Sequence, residues 1–252
     1  MGSLRLCVRL MLIMAMSALL VPSRLLIWPL AWYSEPLDRR ARRPLIKLWN
    51  RGLARISGIK LLVHGTPPKP PFYLVSNYLS YIDMLVLCSQ TGSIFVSRED
   101  VEHWPVIGFL ARSFYIIFID RNKRSDTVRV NKLIAHALSQ GDGLVVFPES
   151  RIFRGLTVEP FKSALIQPAI DNGLPVHYAT LHYKTPEGSP PASDIVGWWR
   201  PEPFFAHLFR LLRHPGFTAT VYFGNDPISG TDRKILADQL HAAVSEKFVP
   251  IQ

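Results

Sequence analysis

Three apolar runs end in polar clusters whose residue types could do chemistry. "FYLVS" (72–76) leads into Asn77, Tyr78, Ser80 and Asp83; "YIIFI" (115–119) leads into "DRNKR" (120–124); "GLVVF" (143–147) leads into "PESR" (148–151). Carboxylates, guanidiniums and hydroxyls of this kind hold anionic groups and move protons. In an open α/β sheet, ligands sit outside the carboxyl ends of the strands. Any one cluster is as readily a solvated turn, but three at strand ends point to one shared site.

The elements that must position these residues are legible as short β-rich runs. Besides 72–76, 115–119 and 143–147, they are "SIFVS" (93–97), "VHYATLHY" (176–183) and "TATVYF" (218–223), with helical stretches at 127–140 and 161–172. Alternation of this type predicts an α/β fold with a mixed, mainly parallel sheet flanked by helices. "GTPPKPPF" (65–72) is a proline-rich break. It divides the chain into an N-terminal segment, 1–64, and an α/β domain, 65–252.

With 252 residues and 48% hydrophobic content, the chain suffices for one sizeable domain. Cys7 and Cys88 stand far apart in apolar runs, so no disulfide framework, metal site or cofactor is suggested. The net charge of +10 is concentrated. Up to Lys60 there are eleven basic residues against Glu35 and Asp38, and from Leu61 on eighteen against seventeen. A basic segment interleaved with Leu, Ile and Trp suits an anionic membrane surface and argues against nucleic acid as a partner.

The stretch Leu10 to Ser23 is uncharged and Leu25 to Ser34 continues it, but the first run falls short of the roughly 20 residues that span a bilayer. Pro22 and Pro29 are expected to break or kink a single helix. A retained, non-crossing anchor is one reading and a cleaved signal peptide the other. Between Leu45 and Ile59, helical spacing puts Leu45, Leu48, Trp49, Leu53 and Ile56 on one side and Lys47, Arg51 and Arg55 on the other. This stretch reads as a helix lying in the headgroup plane beside Arg39, Arg40, Arg42 and Arg43, or as an ordinary helix packed on the core.

These residues resemble the glycerolipid acyltransferase family, specifically the bacterial-type lysophosphatidic acid (1-acylglycerol-3-phosphate) acyltransferases. "NYLSYID" matches the family's Asn-His-x-Ser-x-x-Asp at Asn77, Ser80 and Asp83, with Tyr78 where the family has histidine. The second block is matched by Trp104, Pro105, Gly108, Arg112, Asp120 and Arg121, and the third by Phe147, Pro148, Glu149, Gly155, Pro160, Phe161, Lys162 and Ser163. Pro175 marks the fourth block.

The resemblance implies transfer of a fatty acyl group from acyl-CoA or acyl-carrier protein to lysophosphatidic acid or a similar lysolipid, at the cytoplasmic face of the inner (plasma) membrane. It assigns catalysis to Asp83 and to the residue at Tyr78, and substrate binding to Asn77, Ser80, Arg121, Glu149, Arg151 and Lys162. A phenol, ordinarily ionising near pH 10, is a poor substitute for imidazole as a base. Tyr115 and Ser150 stand where the family has glycine, and Arg151 where a small hydroxyl is usual. These departures lead to the expectation that the pocket is crowded, and the presence of Asn77, Ser80 and Asp83 around the substitution to the expectation that Tyr78 is hydrogen-bonded to Asp83. His177 and His182, at odd spacing in one strand, face opposite ways, and His103 reads as a surface loop residue. A catalytically inactive relative, binding lipid or acting as a scaffold, is the alternative.

Overall fold

The computed structural model describes residues 2–251 except Pro105, Val106, Arg121, Asn122, Arg124 and Ser125, and except the side chains of Val21, Arg98, Ile107, Leu110 and Thr127. Three helices come first: α1 (Gly2–Ile27), α2 (Leu30–Tyr33) and α3 (Glu35–Ile56). Then follow β1 (Ile59–His64), β2 (Phe72–Ser76), α4 (Ile82–Thr91), β3 (Ile94–Arg98), α5 (Ile107–Ser113), β4 (Ile117–Ile119), α6 (Asp126–Ser139) and β5 (Gly143–Val146). The C-terminal part holds α7 (Gln167–Asp171), β6 (Val176–Lys184), α8 (Ala192–Ile195), α9 (Phe204–Arg213), β7 (Phe217–Phe223) and α10 (Arg233–Glu246).

The seven strands form one sheet in the order β1-β7-β6-β2-β5-β3-β4. All neighbouring pairs are parallel except β6 with β7. The mixed, mainly parallel sheet expected from the sequence is therefore present. β2 sits at its centre, buried along its whole length because both faces are covered, which is why it reads as an unbroken apolar run. Apolar cores lie on either side, one around Leu74, Leu181 and Val221 and the other around Tyr73, Val146 and Leu240. β1, inside the 1–64 segment, is itself an edge strand paired with β7.

The N-terminal helices depart from expectation in two ways. α1 runs unbroken through Pro22 and ends just before Pro29, and Gly2–Tyr33 is long and apolar enough to cross a membrane. The sequence argument that its apolar run is too short does not hold.

The basic cluster is also largely internal. Asp38, Arg39, Arg42, Ile46, Asn50 and Ala54 form the buried face of α3, whereas Leu48 is exposed. Arg39 and Arg42 both reach Asp142, the latter at 2.6 Å, and Arg43 donates to the Gly141 carbonyl. Arg24 of α1 pairs with Asp38 at 2.7 Å. The membrane reading placed Arg39, Arg42 and Arg43 beside a helix in the headgroup plane; ion pairing lets Arg39 and Arg42 face the protein instead.

Candidate functional site

The loop after β2 is built by side chains that bind backbone. Asn77 Nδ2 donates to the Leu181 carbonyl (3.0 Å) and its Oδ1 accepts from Leu181 N–H (2.7 Å), tying the end of β2 to β6. Asp83 Oδ2 accepts from the N–H groups of Leu79 (2.5 Å) and Ser80 (2.9 Å), and its Oδ1 accepts from the Tyr183 hydroxyl (2.6 Å). Glu149 accepts from Tyr78 N–H (2.7 Å) and Glu159 N–H (3.0 Å), joining this loop to the one after β5. Ser80 is fully buried.

These carboxylates lie in a dry place. Burial pushes Asp83 up to about 7 against the opposing pull of Tyr183 and the two N–H groups. Burial does the same to Glu149, also to about 7, with the nearby Asp83 charge adding to the rise. The hydroxyl that meets Asp83 is that of Tyr183, not Tyr78, contrary to expectation. The Tyr78 ring stacks on Phe147, with centroids 4.5 Å apart and planes at 19°.

Tyr78 instead lines a cavity of about 820 Å³ at the carboxyl ends of the parallel strands. Asp120 enters from the end of β4 and Arg151 from the end of β5, so the structure brings together the three strand-end clusters. A fourth strand end, that of β3, contributes Glu99, Asp100 and His103. Sequence reasoning missed it, although "REDVEH" directly after an apolar run carries the same signal as the other three. Trp198, Arg200 and Glu202 close the far wall from the segment before α9. Arg210 chelates Glu202 through two 2.6 Å bonds, and Arg200 pairs with Asp194. The turn after β4 is fixed by Asp126, which accepts from Asp120 N–H at 2.7 Å.

Of the other sequence-assigned residues, Arg121 lies outside the described residues. Asn77, Ser80, Asp83 and Glu149 are buried in the floor and are not among the lining side chains. Lys162 is exposed and does not line the cavity either. Tyr115 lies elsewhere altogether, under the guanidiniums of Arg39 and Arg42 at 4.2 and 4.9 Å. It does not crowd the cavity, and that expectation is corrected. The glycine comparison nevertheless carries information. Tyr115 (φ 59°) and Ser150 (φ 62°) are the non-glycine residues with positive φ among those described.

The Acyltransferase family model matches residues 60–180. A lyso-ornithine lipid O-acyltransferase of Rhodobacter capsulatus is 33% identical over 196 residues, covering 75% of this chain and 70% of the relative. The chain belongs to the acyltransferase family. A 1-acyl-sn-glycerol-3-phosphate acyltransferase of Neisseria meningitidis is 32% identical over 212 residues, 80% of this chain and 79% of the relative. In fold, this acyltransferase-family chain resembles the crystal structure of the 1-acyl-sn-glycerophosphate acyltransferase PlsC from Thermotoga maritima. The TM-score is 0.69 and the identity 16%, with 98% and 97% of the two chains covered. The family match takes in the loops holding Tyr78, His103, Asp120 and Arg151, whereas the wall formed by Trp198, Arg200 and Glu202 falls after it.

Proposed function

We propose that this chain transfers a fatty acyl group from a thioester, acyl-CoA or acyl-carrier protein, to the free hydroxyl of a lysolipid at the cytoplasmic face of the inner membrane. The observation that carries the reading is the cavity at four strand ends, with Tyr78 and Arg151 in its lining, in a chain of this family. The names of the relatives favour lysophosphatidic acid or lyso-ornithine lipid as acceptor. The hydroxyl oxygen attacks the thioester carbonyl carbon. A C–O bond forms, the C–S bond breaks, the hydroxyl proton passes to a base and the thiolate leaves protonated. Arg151, exposed at the cavity, is suited to an anionic headgroup. Asp83 and Glu149 hold the loops rather than touch substrate.

Membrane contact is assigned to α1 lying along the surface. Leu4, Leu19, Leu26, Trp32 and Tyr33 are each more than 70% exposed, an apolar strip with interfacial aromatics at its end. The helix is about 39 Å long at 1.5 Å per residue. It is latched to the domain near both ends, by Arg5 and Arg9 to carbonyls at 212–215 and by Arg24 to Asp38 and Ser113. A helix so fastened is suited to lying on the membrane rather than crossing it. Replacing Leu12 and Leu19 by Glu should release the protein from anionic vesicles in a sedimentation assay. Unchanged sedimentation would refute the assignment.

The alternative, a lipid-binding relative without turnover, is favoured by the engagement of Asp83 with Tyr183. One assay separates the two: purified protein, palmitoyl thioesters of CoA and acyl-carrier protein, and the two lysolipids. Diacyl product from at least one pair is expected, with Arg151→Ala raising the acceptor KM about tenfold or more through its lost charge-assisted bond. Lysolipid binding without product would establish the alternative.

A further inference from the structure

We propose that His103 is the general base of this chain, the proton acceptor that position 78 does not supply. The proposal rests on the acyl-transfer reading. Attack by an alcohol on a thioester needs a group that takes its proton near neutrality, and imidazole is the side chain that most often does so. His103 is the histidine that lines the cavity among the described residues, and it shares that cavity with Tyr78 and Arg151.

The buried carboxylates are poorly placed for the task. Asp83 has both oxygens engaged by Leu79, Ser80 and Tyr183, and Glu149 has both engaged by Tyr78 N–H and Glu159 N–H. Neither lines the cavity. Of the acids that do, Glu202 is chelated by Arg210. Histidines elsewhere are occupied with structure: His207 between Tyr81 and the Gly197 carbonyl, His182 on the Val249 carbonyl, His241 on the Val158 carbonyl.

The backbone around His103 is held on both sides. Arg112 Nη1 donates to the Glu102 carbonyl at 2.7 Å, and Trp104 N–H donates to the Val101 carbonyl at 3.2 Å. The Trp104 indole packs on Phe204 of α9 with centroids 5.0 Å apart. The imidazole thus projects, exposed, from a fixed turn, and its ring makes no hydrogen bond among the described residues, which leaves it open to a substrate hydroxyl. In the step, the acceptor oxygen attacks the thioester carbonyl carbon and its proton passes to a ring nitrogen of His103. As the tetrahedral adduct collapses, the C–S bond breaks and the imidazolium returns the proton to the departing thiolate.

The test compares wild type, His103→Ala and His103→Gln with the thioester and lysolipid pair that wild type uses. Both variants should lose about 100- to 10,000-fold in kcat, with the acceptor KM within about threefold of wild type. Added imidazole should restore part of the rate to His103→Ala, and melting curves should be unchanged because the side chain is exposed. A kcat for His103→Ala within about threefold of wild type, or a loss confined to KM that imidazole does not restore, would overturn the proposal and leave acyl transfer standing. Absence of turnover in wild type with every pair would overturn acyl transfer itself, and this proposal with it.

Discussion

Two regions of the molecule solve the same pair of problems differently. Each has a fully buried carboxylate and, close by, a non-glycine residue at positive φ. Under the cavity these are Asp83 and Ser150; at the junction of α3 with the sheet they are Asp142 and Tyr115. Asp142 is met by the guanidiniums of Arg39 and Arg42, with that of Arg43 at 4.0 Å, and Tyr115 lies beneath the first two. Among the described residues Asp83 is met only by neutral donors, and its ionisation is held up to about 7 by burial. The first arrangement fixes charge in the interior; the second meets a buried carboxyl with neutral donors, which hold the loop but do not offset its desolvation. Desolvation without a countercharge favours the uncharged acid, and a paired cation favours the anion.

The largest effect should come from the charged region. Asp142→Asn leaves the buried Arg42 without its carboxylate and Arg39 with Glu35 as its remaining one, and should destabilise the protein by about 3–5 kcal/mol in urea titrations. A loss below about 1 kcal/mol would mean that the pairing contributes no more than a surface bridge.

Next comes the pH dependence of the neutral region. Asp83 rises from 3.8 to about 7 and Glu149 from 4.5 to about 7 on folding. A raised pKa means the native state binds more protons than the unfolded chain, so this contribution is full below the unfolded values and is lost as pH climbs toward 7. Stability should therefore fall between about pH 4 and 7 by on the order of a few kcal/mol. Asp83→Asn should flatten the slope, and an unchanged slope would show that Asp83 ionises freely in the fold.

Smaller still, Tyr183→Phe removes one donor from Asp83 and should lower stability by about 1–2 kcal/mol. It should also steepen the same pH slope, since the Tyr183 bond works against the upward shift. The smallest change compares the strained residues. Ser150→Gly should raise stability by about 1 kcal/mol, the cost of a left-handed backbone at a residue with Cβ. Tyr115→Gly should not, because it also removes the ring under Arg39 and Arg42. Equal gains from both would show that this ring adds nothing.

The sheet was legible because its inner strands are buried on both faces and so read as short apolar runs. β1 was not: all but its first residue is partly or fully exposed, and "IKLLVH" follows α3 so closely that its start read as helix. The buried face of α3 was misread because its 38-42-46-50-54 row is mostly polar, and partners distant in sequence, Arg24 for Asp38 and Asp142 for Arg42, make that row internal. In the site, Tyr78, Asp120 and Arg151 followed from strand-end position. The partnership of Asp83 with Tyr183 did not, since it joins residues 100 apart. Tyr115 and Ser150 were recognised by what they replace, and the backbone explains why glycine suits both places.

The latch of α1 has a consequence for the order of biosynthesis. Arg9 leaves the ribosome more than 200 residues ahead of the carbonyls it holds, Leu212, His214 and Pro215. At about 5–20 residues per second, the ribosome needs roughly 10–40 s to deliver them. Throughout that interval the first turns of α1 lack these partners, while its far end can already meet Asp38 of α3 through Arg24. The Arg9 end of the latch therefore closes after α9 has been made.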